Sequence, residues 1–213
     1  MNEFQTTLDT VGIGGLLWGL AQCDAADLEL ATRDASLAAP ETVVLQPAKH
    51  WRLSVQSCVI ALLRNRDVPR ILMLGNDLGF LEALQVIGFD GLTEVFLPPR
   101  VGPDQCRKVA QNVPAGLKVQ VLKPGLVPVL DPGTTVVVIG FDAGSGYVMI
   151  DDAAARALGG VRGQRFTGDV IAILPLGETT VHDRHLENWH MVRRDQFTDS
   201  CKPDGLEPII PTV

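Results

Sequence analysis

The sequence predicts an α/β fold, a mostly parallel sheet flanked by helices. Three observations carry that expectation. Short runs of Val, Ile and Leu alternate with amphipathic stretches from Arg70 to Leu174, and buried parallel strands separated by helices read in this way. The stretch Arg70 to Pro98 opens that alternation: an apolar run, a glycine-punctuated loop, a helical pattern and a second apolar run. Finally, 46% of the 213 residues are hydrophobic and 20% are charged, enough to bury a core without disulfides or metals.

Taken in order, residues 1–45 read as an N-terminal helical extension. Leu16, Leu17, Leu20 and Cys23 recur at helical spacing, and a more polar helix candidate follows over Asp24 to Leu37. Gly12-Ile13-Gly14-Gly15 is better read as a flexible helix start than as a phosphate loop, since no strand precedes it. Lys49 to Arg64 is an amphipathic helix, with Trp51, Val55, Cys58, Val59, Leu62 and Leu63 on one stripe. The strand candidates are Ile71–Leu74, Glu94–Leu97, Leu117–Leu122, Thr135–Ile139 and Asp169–Leu174. The helix candidates between them are Leu78–Ile87, Pro103–Asn112 and Tyr147–Leu158, with Pro103 in a first turn where a missing N–H costs little. This gives a domain over residues 46–180 and a C-terminal appendage over residues 181–213, the latter ending in a proline-containing tail.

A formal charge of −7 and scattered basic residues argue against a nucleic-acid surface, which needs clustered Lys and Arg. The N-terminus has no basic n-region, and Val11 to Ala21 is too short to span a bilayer, so neither a secretory signal nor a membrane anchor is expected. Cys23, Cys58, Cys106 and Cys201 are far apart and form no CxxC pair; they read as reduced thiols in a cytoplasmic protein. Cys58 and Cys106 lie on apolar helix faces and read as packing residues.

The segment Leu72-Met73-Leu74-Gly75-Asn76-Asp77-Leu78-Gly79-Phe80-Leu81 resembles the strand and Gly-x-Gly-x-Gly loop of the class I S-adenosylmethionine-dependent methyltransferases, a Rossmann-like superfamily. Pro103 to Val113 and Gly116 to Val119 resemble that family's second helix and third strand. The resemblance covers about half the chain and implies a cofactor site at Gly75, Asn76, Asp77, Gly79, Phe80 and Leu97. It also implies acids that are absent here: Met73 stands where one supports the loop, Leu97-Pro98-Pro99 where one binds the ribose, and Lys123-Pro124-Gly125 where one faces the adenine. Asp77 replaces the middle glycine. The resemblance thus implies a methyltransferase-like protein with a degenerate cofactor site, working as an accessory or protein-interaction subunit with another protein or with itself. The alternative it leaves open is an active S-adenosylmethionine-dependent methyltransferase or another nucleotide-binding enzyme.

Two residues at the end of the fourth strand candidate are catalytic candidates. Asp142 could position a nucleophile or accept a proton, and Tyr147 could stack on a substrate; a cap followed by a glycine-rich turn is the simpler meaning of Asp142-Ala143-Gly144-Ser145-Gly146. Ser145 lacks the flanking pattern of a nucleophile elbow. His182 and His185 are three apart, a spacing that places both imidazoles on one helix face where they could share a metal, with His190, Asp183, Glu187 or Cys201 to complete it. No metal site is expected, because a polar element meeting the sheet edge or a partner explains the same residues. Asp151-Asp152 reads as charge at a helix N-terminus.

Overall fold

The computed structural model describes residues 46–64, 66–75, 77–97, 99, 102–144, 146–175 and 189–201. The expected helices of residues 1–45, the pair His182 and His185 with Asp183 and Glu187, and the tail from residue 202 lie outside the described residues, as do Asn76 and Ser145.

The described chain begins with α1 (Gln46–Leu63) and continues with β1 (Arg70–Leu74), α2 (Leu78–Val86), β2 (Leu92–Phe96), α3 (Pro103–Gln111) and β3 (Lys118–Val121). Then come β4 (Thr134–Ile139), β5 (Phe141–Gly144), β6 (Tyr147–Asp151), α4 (Asp152–Gly163), β7 (Val170–Ile173), β8 (Trp189–Arg193), a 3-10 turn (Arg194–Gln196) and β9 (Asp199–Cys201). Six strands form one sheet in the order β3-β2-β1-β4-β7-β9, and every neighbouring pair in it is parallel. The expected α/β class is therefore observed.

The central strands β1, β4 and β7 are buried on both sides, which explains why they read as near-continuous apolar runs rather than alternating ones. On one side Ile71, Met73, Val95, Val137 and Ile173 pack with Val55, Cys58 and Val59 of α1, Phe80, Leu81 and Leu84 of α2 and Val109 of α3. On the other, Leu72, Leu74, Phe96, Val136, Val138 and Ala172 pack with Ala154, Ala157, Leu158 and Val161 of α4. Each fully buried Val, Leu or Ile contributes about 1.5–3 kcal/mol relative to exposure. The two cores thus outweigh any one polar contact. Three helices cover the first face, whereas α4 is the one described helix on the second. It carries Gly159, Gly160 and Gly163, all exposed, so its stability comes from its apolar face rather than from propensity.

Sequence reading took Tyr147–Leu158 as one helix. The structure divides it: Tyr147–Asp151 is β6 and the helix begins at Asp152. β5, β6 and β8 form a small antiparallel sheet. Its connection to the main sheet turns at Gly140, where a Cβ would stand 2.6 Å from the Met149 carbonyl oxygen and 2.8 Å from an Ile150 methyl carbon. Only glycine permits so close an approach.

Candidate functional site at the carboxyl ends of the strands

In the strand order β3-β2-β1-β4-β7-β9 the chain reverses direction across the sheet between β1 and β4. Open parallel sheets bind ligands outside the carboxyl ends of the strands at such a point. On the β1 side, Gly75 has φ +119 with open space where a Cβ would project, and its N–H donates to Phe96 O at 3.1 Å. Asp77 follows in extended conformation and caps α2: its Oδ1 accepts from the Phe80 N–H at 3.1 Å. Its carboxylate is thus spent on one of the orphan N–H groups at the helix start.

On the β4 side the β5–β6 hairpin folds back. Asp142 is buried, and its Oδ1 accepts both from the Gly144 N–H at 3.1 Å and from Nη2 of Arg194 in the 3-10 turn. Arg194 is fixed in turn by its backbone N–H, which donates to Gly146 O at 2.7 Å. The Arg194 Nε is buried and has no hydrogen-bond partner. Tyr147 opens β6, opposite Gly144 on one neighbour and Arg193 on the other.

A second polar group lies at the start of α4. Asp151 caps the helix, accepting from the Ala154 N–H at 2.9 Å. Burial pushes its carboxyl above the ordinary range, although the Ala154 and Ala153 N–H groups pull the other way. Asp152 takes Nη2 of Arg156 and Nε2 of His190, each at 2.6 Å, and Arg156 first and His190 second hold it below the ordinary range. The reading of Asp151-Asp152 as helix-terminal charge agrees with these contacts. Among the described residues no group of three or more His, Cys, Asp or Glu stands together in a way that could hold a metal.

The candidates therefore fall in two places. Gly75, Asp77 and Phe80 gather at the β1–α2 turn, with Gly79 buried in the first turn of α2. Asp142 and Tyr147 belong to the hairpin after β4. Leu97 is buried in the core beneath α1 to α3. Sequence reasoning missed Arg194, since a partner 52 positions from Asp142 leaves no local signal.

No family model matches the chain, and no curated protein matches it in sequence. Solved structures do share its fold. The crystal structure of eIF2B delta from Chaetomium thermophilum superposes with a TM-score of 0.52 at 15% identity, over 79% of this chain and 64% of that one. A chain of the tetrameric eIF2B-beta2-delta2 complex from C. thermophilum gives 0.52 at 12% identity, over 87% of this chain and 70% of that one. The fold is that of eIF2B chains. This chain spans 64% of the length of the first of them.

These structures correct the methyltransferase resemblance: the proteins similar in fold are eIF2B chains, not methyltransferases. With it go both functional readings built on it, the degenerate methyltransferase-like accessory subunit and the active S-adenosylmethionine-dependent enzyme. The physical reason is that a strand, a glycine turn and a helix are what any parallel α/β unit needs at this point. Two of the three distinguishing acids are replaced by side chains that serve the core: Met73 is 1% exposed and Leu97 2% exposed. S-adenosylmethionine entered with that resemblance, and the eIF2B structures lend it no support. No described helix is long and apolar enough to cross a membrane.

Proposed function

We propose that this chain is an assembly subunit, an eIF2B-like α/β domain that pairs with itself or with a second eIF2B-like chain in the cytoplasm. The observation that carries the reading is the fold shared with a chain solved as part of a tetrameric beta2-delta2 complex. Two features of the molecule support it. Asp77 and Asp142, the acids nearest the strand ends, are engaged in holding the α2 cap and the hairpin. Apolar side chains also remain on the surface, with Leu126 60% and Val129 86% exposed on one connecting segment between β3 and β4.

Sedimentation velocity on the full-length chain at high micromolar concentration, with native mass spectrometry of the protein isolated from its own cells, tests the proposal. A mass of two or more chains, or a stoichiometric complex with an eIF2B-like chain, is expected. A single-chain mass in both measurements overturns it.

A further inference from the structure

Cys58 and Cys201 are 143 positions apart in sequence and in contact in the fold: the Cys201 Sγ donates to the Cys58 carbonyl oxygen at 3.3 Å. Cys58 lies in α1 and is 0% exposed. Cys201 ends β9, is only partly buried, and packs against the same core cluster. Strand β9 has three residues and stands at the end of the six-stranded sheet. Its tether at the other end is the ion pair between Asp199 and Arg66.

We propose that Cys58 and Cys201 form a reversible disulfide that fixes the last strand of the sheet to α1. A disulfide requires Cα atoms about 4.4–6.8 Å apart. The 3.3 Å contact of the Cys201 Sγ with the Cys58 carbonyl oxygen sets the two residues against each other, and the proposal requires their Cα atoms to come within that range. The unequal exposure sets the order of events, since solvent reaches Cys201 and Cys201 reaches Cys58. With glutathione disulfide as oxidant, the Cys201 thiolate attacks one of its sulfurs; the glutathione S–S bond breaks and one glutathione thiolate leaves and is protonated. Cys58 then attacks the Cys201 Sγ, and its proton passes to the departing glutathione sulfur, so that the second glutathione leaves as a thiol. Two protein thiols are oxidised and one glutathione disulfide is reduced to two thiols.

The test incubates the native full-length protein with excess glutathione disulfide, followed by intact-mass analysis, non-reducing peptide mapping and thermal unfolding. The expected result is a loss of about 2 Da without retained glutathione, a peptide joining residues 58 and 201, and a Tm raised by several degrees that dithiothreitol reverses. Cys201→Ser abolishes the linked peptide and the rise, whereas Cys106→Ser keeps both. A lasting glutathione adduct on Cys201 without the linked peptide overturns the proposal, as does a link that forms only in urea.

Discussion

Two buried carboxylates, Glu94 on β2 of the main sheet and Asp142 on β5 of the small one, are each paired with an arginine, and the two arginines differ in how completely they are satisfied. At the amino ends of the strands, Glu94 accepts from Nε and Nη2 of Arg70 at 2.9 and 2.7 Å, and Nη1 of Arg70 reaches Asp131 at 3.1 Å. The guanidinium bridges β1, β2 and the turn before β4, and every nitrogen has a carboxylate. At the carboxyl ends, Arg194 reaches Asp142 through Nη2 while its Nε is buried without a partner. The contrast separates a closed structural clamp from a polar joint that leaves a donor unfilled. Closed, fully bonded pairs are expensive to break, whereas an incomplete one already carries part of that cost.

Four substitutions measure this difference. Arg70→Met leaves Glu94, 3% exposed, as a buried charge without its cation, and is expected to cost about 3 kcal/mol in urea unfolding. Arg194→Met removes a side chain already a third exposed, and Asp142 keeps the Gly144 N–H. The expected loss by the same measurement is about 1–2 kcal/mol; a larger loss than for Arg70→Met reverses the contrast. Thr93→Val removes a buried hydroxyl that has no hydrogen-bond partner, so stability should rise by up to about 1 kcal/mol. A drop in the denaturation midpoint would show that the hydroxyl is satisfied in solution.

The smallest effect is one of slope. The Thr134 hydroxyl, and after it Arg70, holds Asp131 below its ordinary value of 3.8. A carboxylate lowered by folding contributes stability that is present above the unfolded value and lost as pH falls through the folded one. Thermal melts of the wild type should therefore weaken more steeply below pH 3.8 than those of Asp131→Asn. Parallel curves would detach Asp131 from the clamp.

The scaffold was largely legible in the sequence. Each apolar run expected as a strand overlaps one of β1, β2, β3, β4 and β7, and the signal is clearest in β1, β4 and β7, whose burial on both faces favours Val, Ile and Leu. The helix stripe Val55, Cys58, Val59, Leu62 and Leu63 is buried as its spacing implies. The small sheet was not legible. β6 is apolar enough to pass for the first turn of α4, and β8 reads as polar because it lies at an edge with Met191 62% exposed. β9 contributes Asp199, Ser200 and Cys201 to a parallel pairing with β7, which no local propensity announces. At the site, Asp77 was visible as an anomaly among glycines, and its cap explains it. The Asp142–Arg194 pair was invisible, being a contact made by topology alone.

The glycines of α4 have a consequence for time rather than for energy. Gly159 and Gly160 each lower helix propensity by about 1 kcal/mol relative to Ala, so the helix that shares one face of the sheet with β6 and Phe197 can open at a smaller free energy than the strands beneath it. Amide hydrogens of α4 will therefore exchange with solvent well before those of β1 and β4. In each such opening Leu72, Val136 and Val138 meet water for an instant while α1, α2 and α3 stay closed over the opposite face.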